Sequence, residues 1–141
     1  MKRKVTITKT ATLSSATDVD ISFVPPLLRR RLSPLQRLFF SLAAKVGAEN
    51  ADLVVFASRD GEDKLTRRIV ADYNTDGTVS PTRFSASVYN AAPGLWSVYS
   101  KNHSPYTAIA SGEDTIECGL YEALAVHDGQ VAVFVYAEET D

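Results

Sequence analysis

Helical and strand periods alternate along the chain. Leu35, Leu38, Phe39, Leu42 and Val46 recur at the spacing of one helix face. Ser33 stands before them to cap free amides, Pro34 suits the first helical position, and Gly47 supplies a stop. Leu53 to Ala57 is a short continuous apolar run, which predicts a strand covered on both faces, as in a parallel sheet. Upstream, Val5 to Leu13 is threonine-rich, with Val5, Ile7, Ala11 and Leu13 near alternation, and predicts a strand whose polar face belongs at a sheet edge. Asp18 to Pro26 breaks the pattern, and Pro25-Pro26 predicts an extended or turned connector.

Downstream, Glu62 to Tyr73 predicts a charged outer helix with Leu65, Ile69 and Tyr73 on one stripe, ended by Asn74-Thr75-Asp76-Gly77. Ser80-Pro81 repeats the cap-plus-proline start, and Asn90 opens a further helix whose expected apolar face is Leu95, Val98 and Tyr99. Tyr106 to Ala110 predicts a brief strand that leads through Ser111-Gly112-Glu113-Asp114 into a helix marked by Ile116, Leu120, Ala123 and Leu124. His127-Asp128-Gly129 is a turn, and Val131 to Tyr136 a last strand. Buried strands alternating with helices make the class α/β.

With 141 residues, 45% of them hydrophobic and 23% charged, the chain has the size and balance of one domain, residues 1–141. A net charge of -2 offers no general attraction to nucleic acid. The apolar runs fall short of the roughly 20 residues that cross a bilayer, and threonines interrupt the place of a signal-peptide core after the basic start. A cytoplasmic location is expected. Cys118 is the only cysteine, which excludes an intramolecular disulfide and a multi-cysteine metal site.

The strand-turn-helix at Ala110 to Thr115 holds the candidate chemistry, because such turns expose nucleophiles beside helix amides. Ser111 is its nucleophile-type residue, without the glycine placement of a nucleophile elbow. Ser111-x-x-Asp114 also matches a capping box, and Glu113 and Asp114 would face the helix dipole favourably. Alternatively the two carboxylates form an acid-base pair, although neighbours on a helix start diverge. Cys118 falls inside the helix, where a small buried hydrophobe is the expected role. His103 and His127 sit in turns without ligand spacing, so neither metal nor cofactor is expected. Arg29, Arg30, Arg31 and Arg37 form a local basic patch, either solvated or facing an acidic partner.

Phe23-Val24-Pro25-Pro26-Leu27-Leu28-Arg29-Arg30-Arg31-Leu32-Ser33 and Val55-Phe56-Ala57-Ser58-Arg59-Asp60-Gly61-Glu62, followed by Ser80-Pro81-Thr82-Arg83-Phe84-Ser85, Val88-Tyr89-Asn90-Ala91-Ala92 and Ala110 to Thr115, resemble the β-ketoacyl synthase amino-terminal domains. The resemblance runs from about Phe23 to Tyr136. It implies the amino-terminal half of a thiolase-like fold, with a mixed sheet and helices on both faces. In ordinary members the nucleophilic cysteine stands on a tight turn after a Gly-Pro step and a strand. Ser104-Pro105 occupies the place of that step, and counts forward from Pro105 and backward from Glu122-Ala123 both put Glu113 at the cysteine position.

A carboxylate cannot hold an acyl chain as a thioester, so the covalent half of condensation is not expected here. The second half of the fold, which brings the decarboxylation histidines in the family, lies outside the chain. The resemblance therefore implies a non-condensing, chain-length-factor-like partner of a β-ketoacyl synthase in fatty-acid or polyene-type elongation. Two alternatives stand beside it: a carboxylate-dependent decarboxylase using Glu113 or Asp114, and an interaction module for acyl carrier protein. Arg29, Arg30 and Arg31 are the expected contacts to an acidic surface. Trp96, Tyr99 and Tyr106 are the expected contacts to a synthase or to a second copy of the chain.

Overall fold

A computed structural model describes residues 4–140. The elements are α1 (Pro26–Arg31), α2 (Pro34–Val46), β1 (Leu53–Ala57), α3 (Asp63–Asp76), α4 (Pro81–Ala86), α5 (Ala91–Ser100), β2 (Tyr106–Ile109), α6 (Thr115–Ala123) and β3 (Ala132–Tyr136). The three strands form one sheet in the order β2-β1-β3, and both pairings are parallel. Helices carry the chain from the end of one strand back to the start of the next, which is why no hairpin forms between them. The expected α/β class is therefore found, while the described sheet is purely parallel rather than mixed.

Helices cover both faces of the sheet. Val54 and Phe56 of β1 and Val133 and Val135 of β3 enter the core with Leu35, Phe39, Phe40 and Ala43 of α2 and Ala92 and Trp96 of α5. Edge-to-face ring packing organises that core: Phe39 on Phe56 at 5.2 Å, and Phe40 on Trp96 at 5.2 Å. Such pairs add about 0.5–1.5 kcal/mol beyond the area they bury. On the opposite face α6 comes close enough that a Cβ placed on Gly119 would lie 2.5 Å from Cε2 of Phe134 and 3.0 Å from Cβ of Ala57. The absence of a side chain at Gly119 sets that approach.

α2 starts and stops where the sequence says. Ser33 Oγ accepts from the Gln36 amide at 3.1 Å, Gln36 Oε1 accepts from the Ser33 amide at 3.1 Å, and Gly47 ends the helix in the left-handed region at φ 77°.

Several expectations are corrected. Val5 to Leu13 forms no strand; Val5 and Ile7 are exposed, and Val5 to Ala11 lines a cavity of about 670 Å³ with Leu42, Leu124, Val131 and Phe134 instead of joining a ladder. Alternation favours an extended chain, but a strand also needs a partner edge and a covered face. The expected connector ends at Pro25, because Pro26 takes the first position of α1. α3 runs past Tyr73 to Asp76, with Thr75 Oγ1 donating to the Ala71 carbonyl at 2.9 Å, and none of its residues is buried. Val98 points to solvent, since Trp96 and Ala92 take the inner face of α5. In α6 the inner face is Thr115, Gly119 and Ala123, which leaves Ile116, Leu120 and Leu124 exposed.

Candidate functional site

Parallel strands release their following loops at one end of the sheet, which is where open α/β sheets place their sites. Here three loops meet that description: Ser58 to Glu62 after β1, Ala110 to Asp114 after β2, and Ala137 to Thr140 after β3.

The loop after β2 contains Ser111, Glu113 and Asp114. Gly112 turns the backbone at φ 57°, a conformation that costs glycine nothing. Thr115, buried at the first position of α6, fixes the turn: its hydroxyl donates to the Gly112 carbonyl at 2.7 Å and accepts from the Ser111 amide at 2.9 Å. Neither Ser111 nor Asp114 makes a side-chain cap, so the expected capping box is replaced by this threonine clasp. Glu113 and Asp114 stand exposed on the single turn before α6, and Cys118 is half-buried one turn further in.

The loop after β1 holds a polar cluster that local sequence reading missed. The Glu138 carboxylate accepts from Ser58 Oγ at 3.0 Å, from the Asp60 amide at 3.3 Å and from the Arg59 amide. Ser58 Oγ in turn accepts from the Gly61 amide at 2.9 Å. Gly61 has φ 55°, and a Cβ there would meet the Tyr89 ring at 2.7 Å, so Tyr89 lies flat over the turn with its hydroxyl donating to the Arg59 carbonyl at 2.8 Å. Beside this turn Glu62 is 5% exposed. Its Oε1 accepts from Ser33 Oγ at 2.6 Å and from Gln36 Nε2 at 3.0 Å, and Gln36 Nε2 also donates to the Ala86 carbonyl at 2.9 Å. Burial pushes the Glu62 carboxyl above its ordinary range against the opposing hydrogen bond from Ser33. These partners come from 26 to 80 residues away, which is why spacing along the chain gave no sign of them.

The expected partner contacts divide. Arg29 is spent within the chain, donating to the Val24 carbonyl at 2.8 Å and the Ser22 carbonyl at 3.1 Å. Arg37 likewise donates to the Leu32 carbonyl at 3.1 Å. Arg30 and Arg31 remain exposed on α1. Tyr106 is exposed on the outer strand β2 and lies across Gly94 of α5. Tyr99 is half-buried against Phe23, with ring centroids 5.9 Å apart. Trp96 departs from its expected role: at 3% exposure it is a core residue and offers no surface to a partner. Among the described residues no three His, Cys, Asp or Glu side chains come together as a metal-ligand set. No helix there is long and apolar enough to cross a membrane.

Comparison with known proteins places this geometry. The family described as "Beta-ketoacyl synthase, N-terminal domain" matches residues 5–140. Among solved structures, a chain of the "Ketosynthase (ApeO) in Complex with its Chain Length Factor (ApeC) from Xenorhabdus doucetiae" superposes with a TM-score of 0.75 at 29% identity. The superposition covers 82% of this chain and 50% of that one, so the present chain spans about half of the protein it resembles. No curated protein matches.

Proposed function

Because the chain belongs to the β-ketoacyl synthase amino-terminal domain family, we propose that it is a non-condensing, chain-length-factor-like partner that works with a β-ketoacyl synthase in fatty-acid or polyene-type chain elongation. The observation that carries the reading is Glu113, exposed on the turn between β2 and α6, at the place where the resemblance puts the acyl-accepting cysteine. A carboxylate there forms no thioester, and Cys118 lies within α6 rather than on the turn. The likeness to a chain from a ketosynthase–chain length factor complex supports the choice of partner.

In this reading the synthase supplies the nucleophile, and the present chain supplies surface and shape to the acyl-binding assembly. The exposed outer edge of β2 with Tyr106, and the exposed part of α5, are the proposed contacts to the synthase or, in its absence, to a second copy. Arg30 and Arg31 are the proposed contacts to an acidic surface such as that of acyl carrier protein. The test is affinity purification of the tagged chain from its native cell. A β-ketoacyl synthase is expected in stoichiometric amount. Recovery of the chain alone, with decarboxylation of an acyl donor by the purified chain, would replace this reading with a carboxylate-dependent enzyme.

A further inference from the structure

Glu62 contributes to no step of the reading above, yet it is the most deeply placed carboxyl at the loop-bearing end of the sheet. We propose that Glu62 is a proton-operated switch: protonated, it fastens the start of α2 to the turn that opens α3, and ionised, it loosens that clasp.

The geometry has three parts. Oε1 is fully engaged by Ser33 and Gln36, whereas Oε2 is buried without a hydrogen-bond partner among the described residues. A neutral carboxylic acid tolerates such a position far better than a carboxylate, whose charge needs pairing when water is excluded. The elements that converge on Glu62 also offer it little compensation. α2 brings only the neutral Ser33 and Gln36. The turn brings Ser58, and Arg59 paired with Asp60 at 3.2 Å. α3 brings Asp63, paired with Arg67 at 2.6 Å, and Lys64, which pairs with Glu139 at 3.5 Å and donates to the Thr140 carbonyl at 2.9 Å. Tyr89 follows α4, Tyr136 ends β3, and Glu138 and Glu139 follow it. The third part is the segment Ala137–Thr140 itself, held by Glu138 on the Ser58–Asp60 turn and by Lys64. It carries the like charge of Glu139 toward Glu62.

Burial first, and the Glu139 charge after it, raise the Glu62 carboxyl above its ordinary value, while hydrogen bonds from Ser33 and Gln36 pull the other way. A carboxyl raised on folding makes the closed form hold more protons than the open one. The clasp is then complete below the ordinary glutamate range and weakens as pH climbs through the raised value. Relief comes by letting water reach Glu62, which parts Ser33 and Gln36 from the start of α3.

Hydrogen exchange of the full chain, followed from about pH 5 to about pH 9 and corrected for intrinsic exchange, reads the clasp directly. Protection at the start of α2 and in the first turn of α3 should fall by on the order of tenfold for each step of one pH between the ordinary glutamate value and the raised one, and level off above it. The Glu62→Gln chain, which keeps the acceptor oxygen and removes the ionisation, should show a flat profile. Nuclear magnetic resonance titration of the Glu62 side-chain carboxyl in the unaltered chain gives a second reading that needs no variant, and its midpoint should coincide with the pH at which the loss of protection levels off. Persistence of the pH dependence in Glu62→Gln, or titration of Glu62 with no change in protection, would overturn the proposal.

Discussion

Replacing Trp96 by alanine is expected to attack the fold. The indole is 3% exposed, with Phe40 and Phe39 edge-on at 5.2 and 6.4 Å and Tyr99 tilted against it at 5.5 Å. Truncating a buried tryptophan to alanine costs about 3–5 kcal/mol, because the cavity left between such rings refills only in part. A domain holds about 5–15 kcal/mol in all, so the change removes a large share and should lower Tm by on the order of 10 °C. Trp96 Nε1 lacks an acceptor among the described residues. An unmet buried donor is worth about 1–3 kcal/mol, so Trp96→Phe, which deletes that donor and keeps a ring, should cost markedly less than Trp96→Ala. Urea unfolding followed by far-ultraviolet circular dichroism compares all three chains without relying on tryptophan emission. An alanine variant with the original urea midpoint and a weakened complex would refute the reasoning and return Trp96 to the partner surface.

Gly119→Ala places a methyl at the 2.5 Å approach to Phe134 and should destabilise by about 1–3 kcal/mol; Phe134→Leu in the same chain should recover part of that, read from urea midpoints. Charge reversal at Arg30 and Arg31, both exposed, should leave stability unchanged while lowering affinity for the copurified acidic partner, most strongly at low salt. Unchanged affinity and salt dependence by titration calorimetry would make them solvated surface. Arg29→Ala should behave in the opposite way, exposing α1 to protease, since Arg29 is bonded to the carbonyls of Ser22 and Val24.

The parts of the fold that local chemistry dictates were legible in the sequence. Ser33 and Gly47 bracket α2 through hydrogen bonds that span four residues or fewer, Pro34 takes its first position, and the run Leu53 to Ala57 is apolar throughout because both faces are covered. What a neighbour decides was not legible. Nothing in Val5 to Leu13 reveals whether a strand edge is offered to it, and the inner face of α6 falls on Gly119 because Phe134 occupies the space outside it. Trp96 illustrates the same limit: an aromatic residue on an amphipathic helix suits a core or an interface equally, and only the arrival of α2 selects the core. The Ala110 to Thr115 turn was found where expected, with Thr115 in place of Ser111 as the residue that fixes it. The sequence makes Glu62 look like part of a surface helix start because its partners Ser33 and Gln36 lie on another element.

The site of acylation tests the partner-subunit proposal most directly. The chain, alone and together with its copurified synthase, is supplied with acyl-loaded carrier protein, and each polypeptide is weighed intact. A non-condensing partner predicts that the acyl mass appears on the synthase and that the present chain keeps its unmodified mass in both mixtures. A stable acyl adduct on the present chain, at Cys118 or elsewhere, would contradict it.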